Sequence, residues 1–206
     1  MGDPEMTLAN DHYAWGARAG RRVRYVRSMA EVKDITEVER ATLDRVAEGH
    51  AFRANDYYLG LIDWQDPKDP IRQLIVPRDE ELADWGSLDT SRESLVTVAR
   101  GVQHKYPDTV LQLCNEVCGG FCRYCLRKRL FMSGNDEVNL DVSEGLRYIV
   151  NSPAVSDVLL TWRDPLLMST RRLVEIFEAL RAIPHVRVIR IESKMPAFDP
   201  GRILRD

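Results

Sequence analysis

The sequence predicts an α/β fold, and three observations carry that prediction. Apolar runs of strand length stand at residues 109–114 (TVLQLC), 156–162 (SDVLLTW) and 186–192 (VRVIRIE), each reading as a buried strand. Between the last two, Leu173, Ile176, Phe177 and Leu180 recur at i, i+3, i+4 and i+7, the period of a helix with one apolar face. All four cysteines fall between positions 114 and 125, where the first of these strands ends.

Each element has its own justification. The helix over Leu173 to Leu180 starts behind Ser169 or Thr170, whose hydroxyl can satisfy a first-turn N–H. A weaker helix, Val142 to Val150, precedes the second strand. The order is therefore β-α-β-α-β, with connections long enough for right-handed parallel crossovers, and the sheet is expected to be parallel. In such sheets ligands sit outside the carboxyl ends of the strands, which is where the cysteines begin.

Residues 1–100 have a different texture. Thr36 stands three before Glu39, the spacing of a capping box, and Leu43, Val46 and Ala47 follow at helical spacing. In YYLGLIDWQDPKDPIRQL the pairs Asp66-Pro67 and Asp69-Pro70 impose extended or turn backbone beside an apolar anchor, Tyr57 to Ile62. The expectation is a mainly helical N-terminal region and connecting segment over 1–100, then an α/β core over 101–206. WGSLDTSRES, around residue 90, is the expected loop between them.

Composition narrows the function. A chain of 206 residues, 44% hydrophobic and 30% charged, can bury one substantial core or a core plus a smaller module. No apolar run approaches the ~20 residues of a membrane span, and MGDPEMTLANDH has neither a basic nor an apolar leader region, which points to the cytoplasm and away from a membrane. A net charge of -3 gives no long-range pull on nucleic acid, despite the local cluster Arg127, Lys128 and Arg129. With the cysteines confined to one segment, no disulfide can join distant elements, and metal binding or catalysis is the better use for them.

Their spacing sharpens this. Cys118, Cys122 and Cys125 form C-x-x-x-C-x-x-C, two short intervals that let one loop wrap three thiolates round a cubane face and leave the fourth iron open. Cys114 lies within the apolar strand pattern and would have to break the strand to join them, so it is left out. Zinc is the alternative; it normally takes four protein ligands, and neither His104 nor His185 has a suitable spacing.

On these residues, with Tyr124 as the aromatic before the last cysteine, the sequence resembles the radical S-adenosylmethionine (SAM) superfamily. The segments YYLGLIDWQDPKDPIRQL, HKYPDTVLQL, CRYCLRKRLF, DVLLTWRDPLLMS and IPHVRVIRIESKMP, spread over residues 57–196, resemble in particular the lysine 2,3-aminomutase family. The resemblance implies the first half of a partial (β/α)6 barrel. It also implies a four-iron four-sulfur (4Fe-4S) cluster on Cys118, Cys122 and Cys125, with SAM chelating the open iron. A 5'-deoxyadenosyl radical would then drive 1,2-migration of an amino group on an amino acid carried by pyridoxal phosphate (PLP), the cofactors supplying the hard step. By the same resemblance Tyr124 and Asp164 contact SAM, Arg127 grips the substrate carboxylate, and Lys105 and Tyr106 belong to the PLP-phosphate region. A flavodoxin or ferredoxin is the implied electron donor, and a homo-oligomer stays open.

The sequence departs from the family at three places. A glycine-rich turn after the second strand lets backbone approach SAM in the family; here it reads Trp162-Arg163-Asp164-Pro165-Leu166, with two large side chains for two glycines. The second arginine of the PLP-phosphate contact falls at Thr109. The chain also stops after the third strand, so the PLP lysine is expected beyond residue 206, no catalytic residue is assigned, and this piece alone is expected to be inactive, with apolar sheet edge exposed. Two other readings stand beside this one: a radical SAM enzyme without PLP, and a non-enzymatic zinc or iron-sulfur module.

Overall fold

A computed structural model describes residues 21–83, 86–87, 89–131 and 141–205. The leader reading of MGDPEMTLANDH, and Trp85 and Leu88 of the expected loop, lie outside the described residues.

The N-terminal part is built from short pieces. Strand β1 (Tyr25–Val26) pairs antiparallel with β2 (Ala54–Asn55), and between them runs α1 (Glu37–Gly49). Thr36 caps α1 by accepting from the Glu39 N–H, as its spacing predicts, and Leu43 and Val46 are buried on its inner face. The Glu39 side chain turns instead to Arg72, so only half of the capping box forms. Helix α2 (Asp56–Leu59) follows directly, and α3 (Pro70–Ile75) starts at Asp69, whose carboxylate accepts from the Arg72 N–H while Pro70 takes the first helical position. Only α1 exceeds two turns, so among the described residues this region is less helical than expected.

From residue 97 one five-stranded sheet dominates, in the order β3 (Thr97–Ala99), β4 (Val102–Tyr106), β5 (Thr109–Leu113), β6 (Asp157–Thr161), β7 (Val188–Ile191). Strands β5, β6 and β7 are parallel, in register from Thr109↔Asp157 to Leu113↔Thr161 and from Asp157↔Val188 to Leu160↔Ile191. The first two strands are antiparallel additions that the apolar runs do not announce. Helices α4 (Ser143–Val150) and α5 (Thr170–Arg181) make the crossovers, and Ser169 caps α5 through the Arg172 N–H. Ile149, Ile176 and Leu180 pack on Val110, Val158 and Leu160 of the sheet, forming one core.

A second core lies under the N-terminal region, where Val26, Met29, Tyr58 and Ile75 meet Met195 and Phe198 of helix α6 (Met195–Phe198). Helix α7 (Pro200–Leu204) follows. The change of texture near residue 100 is therefore not a boundary between cores, since residues from both sides of it share this cluster. At the outer edge of the sheet, β7 leaves Val188 46% and Ile191 38% exposed. No helix among the described residues is long and apolar enough to cross a membrane.

Candidate functional site

The cysteine loop is shaped by what it crosses. Strand β5 continues its ladder one step beyond Leu113, with the Cys114 N–H on the Thr161 carbonyl at 3.3 Å. The Cys114 thiol points back at the same carbonyl, 3.6 Å away, and burial pushes its pKa up to about 12, so it remains a neutral, inert side chain. Asn115 then ties the loop to the turn after β6, its amide donating to the Val117 and Asp164 carbonyls at 2.9 and 2.6 Å. Arg53 donates to the Cys118 carbonyl at 2.8 Å, and the Phe121 and Arg123 N–H groups reach the Arg53 and Leu74 carbonyls, both at 2.8 Å. A Cβ on Gly119 would stand 2.7 Å from the Met195 sulfur, and one on Gly120 2.8 Å from Ile75. The loop can run this close to the second core only because both positions lack a side chain.

Cys118, Cys122 and Cys125 line a single cavity of about 370 Å³, together with Tyr124, Arg127 and the turn at 162–164. Cys114 is not part of its wall. Burial raises the pKa of Cys118 and of Cys125 alike. Three half-buried thiols lining a common space are a donor set that a cationic iron-sulfur group would satisfy. Among the described residues no three His, Cys, Asp or Glu side chains converge closely enough for a single metal ion. The three cysteines are distributed round the cavity wall.

The WRDPL turn forms the facing wall. Trp162 and Arg163 have φ of 79° and 54°, the left-handed region that the glycines of the resembled family would enter at low cost. Trp162 is fully buried against Leu113, and its indole N–H has no acceptor among the described residues. The resemblance implies Asp164 as a SAM contact, and the structure shows what its carboxylate holds in the protein itself. Its carboxylate already takes hydrogen bonds from the Leu166 N–H (3.1 Å), Ser193 hydroxyl (2.7 Å), Lys194 N–H (2.8 Å) and Met195 N–H (3.1 Å). Four donors use the acceptor capacity of the group, so Asp164 fastens the segment after β7 to the turn after β6. Burial raises its pKa against the pull of those bonds.

The basic residues after the cysteines are tied down by carboxylates that sequence reasoning passes over. Glu93 accepts from Arg127 Nε at 2.7 Å and from Arg129 at 2.9 Å. Glu81 takes two of the three Arg123 nitrogens, Nε at 3.0 Å and Nη2 at 2.7 Å, and the Lys128 ammonium at 2.7 Å. The Arg127 guanidinium also lies over the Trp162 ring, 5.7 Å from its centroid. Lys105 and Tyr106 are not brought to this site. They are exposed at the far end of β4, where Tyr106 pairs with Thr109, four residues and about 13 Å down the strand from Leu113. Residues after β7, Glu192 to Lys194, do line the cavity, and their position at the carboxyl end of a parallel strand is the signal that could have found them.

No protein-family model matches the chain. Among curated proteins it is 51% identical over 187 residues to a protein of Aquifex aeolicus named "Putative L-lysine 2,3-aminomutase", covering 91% of this chain and 50% of the relative. It is 35% identical over 192 residues to L-lysine 2,3-aminomutase of Fusobacterium nucleatum, covering 92% and 45%. With glutamate 2,3-aminomutase of Clostridioides difficile it shares 28% identity over 195 residues, covering 94% and 46%. The chain thus spans about half the length of the curated relatives it matches.

Proposed function

We propose that this chain, homologous along most of its length to L-lysine 2,3-aminomutases, carries the cluster- and SAM-binding part of a radical SAM amino acid aminomutase. The observation that supports this most is the cavity wall: three cysteines of one loop, at the carboxyl end of the first parallel strand, face a common space while the fourth is withheld in the strand. When bound, a 4Fe-4S cluster with SAM on its open iron supplies methionine and a 5'-deoxyadenosyl radical, and PLP supplies the carrier on which the amino group migrates.

The protein's own residues bind and shield. Cys118, Cys122 and Cys125 would hold the cluster through their thiolates. Tyr124 presents its ring beside them, and Trp162 closes the wall opposite, keeping water from the reacting atoms. Arg127 is oriented by Glu93 through Nε, leaving its two terminal nitrogens for a substrate carboxylate. Since Asp164 is fully engaged, the SAM ammonium has to find an acceptor elsewhere on this wall. Lys105 keeps an exposed ammonium for the PLP phosphate at the other end of the sheet, and a small electron-transfer protein such as a flavodoxin or ferredoxin supplies the electron. The distance of Lys105 and Tyr106 from the cavity favours, as a second reading, a radical SAM enzyme that works without PLP.

The test is uncoupled SAM cleavage. The chain is reconstituted anaerobically with iron and sulfide, reduced with dithionite and given SAM. Methionine and 5'-deoxyadenosine are expected in equal amounts, and none from the Cys122→Ala variant. Loaded protein that leaves SAM intact contradicts the reading.

A further inference from the structure

The cysteine pattern does not point to Lys194, yet its ammonium lies 3.5 Å from the Cys122 sulfur. It also sits over the face of Tyr124, 4.2 Å from the ring centroid, where the ring quadrupole attracts a cation. The backbone that delivers it is fixed. Asp164 holds the Lys194 N–H at 2.8 Å and the Ser193 hydroxyl at 2.7 Å, and the next residue, Met195, is fully buried. Among the basic residues that follow the cysteines, Arg127 and Arg129 are paired by Glu93, and Arg123 and Lys128 by Glu81. Among the described residues no carboxylate pairs with Lys194, so its charge is directed at the thiolate and at the ring.

Resting on the reading that Cys118, Cys122 and Cys125 hold a 4Fe-4S cluster, we propose that Lys194 is a positioning residue for that cluster, donating from its ammonium to the Cys122 thiolate and raising the reduction potential. Reduction adds one electron to the cluster and its ligand sulfurs. A cation and N–H donor beside one of those sulfurs interacts more strongly with the reduced state than with the oxidised one. Tyr124 keeps the ammonium pre-oriented, so little entropy is lost on making the bond, and Asp164 acts one step further out by holding the segment that carries it.

The experiment is a redox titration of the anaerobically loaded chain, without SAM, followed by the electron paramagnetic resonance signal of the reduced cluster. The variants are Lys194→Met, Lys194→Gln and Lys194→Arg, with iron content measured for each. At a fixed ambient potential the ratio of reduced to oxidised cluster is expected to fall about tenfold in Lys194→Met, about 59 mV for a one-electron couple. Lys194→Arg should return it to within about twofold of wild type. A wild-type midpoint in an iron-loaded Lys194→Met or Lys194→Gln protein overturns the proposal. If Lys194→Met takes up no iron, Lys194→Gln decides: a lowered midpoint supports the proposal and an unchanged one overturns it. Absence of iron in the wild type is a distinct result, and it overturns the cluster reading and this proposal together.

Discussion

The sheet and the cysteine loop are held by different physics. Between β5, β6 and the two crossover helices the contacts are apolar and non-directional: Val110, Val158, Leu160, Ile149, Ile176 and Leu180 fill one core. The cysteine loop instead hangs from buried and partly buried polar bonds that reach across the chain, Arg53 to the Cys118 carbonyl, Arg123 to Glu81, Arg127 to Glu93, Asn115 to the Asp164 carbonyl. Apolar packing tolerates substitutions that keep volume, whereas a buried ion pair fails when one partner is removed. The site is thus the part of the molecule whose geometry is most sharply defined and most easily lost.

That contrast is broken most severely at Glu81. Glu81→Gln leaves the Arg123 guanidinium, only 6% exposed, without its carboxylate, and should cost about 4 kcal/mol in denaturant unfolding. Burial alone would push the Glu81 carboxyl up, but hydrogen bonds from Arg123 and Lys128 together outweigh it and hold the pKa below its ordinary 4.5. The native state therefore prefers the ionised form. This contribution is present above the unfolded value and is lost as pH falls through the lower folded value, so the variant should have a flatter acid limb below about pH 4.5.

The turn after β6 sharpens the comparison, because two adjacent residues with similar backbone strain should respond in opposite ways. Trp162→Gly relieves φ of 79° but empties a fully buried site on Leu113, and should destabilise by about 3 kcal/mol. Arg163→Gly relieves φ of 54° and removes a guanidinium whose charge is disfavoured by burial, as its lowered pKa records. It should stabilise by about 0.5 kcal/mol, the smallest of these effects. Similar stabilisation by both substitutions would show that strain, not packing, governs the turn.

The same division explains what could be read from sequence. Strands β5, β6 and β7 stand within the runs TVLQLC, SDVLLTW and VRVIRIE, and Thr36 and Ser169 cap the helices they precede, because each signal is local. Strand β4 was hidden by its polar Gln103, His104 and Lys105, although Pro107-Asp108 marks the two-residue turn that joins it to β5. Glu81 and Glu93 give no local hint of their role at the site, since the basic side chains they hold lie between 34 and 47 residues away. Asp164 stood out in the sequence only as the acid of the WRDPL turn; its four donors come from both sides of α5, and nothing in the motif reports them.

The most direct measurement is the iron and acid-labile sulfide content of the anaerobically reconstituted chain and its four single cysteine variants. Brown protein with about four irons per chain is expected. The iron should be lost in Cys118→Ala, Cys122→Ala and Cys125→Ala and kept in Cys114→Ala, because the Cys114 thiol is turned to the Thr161 carbonyl and away from the cavity. Colourless protein holding one zinc, or loss of iron in Cys114→Ala alone, would contradict the assignment of the three cavity cysteines.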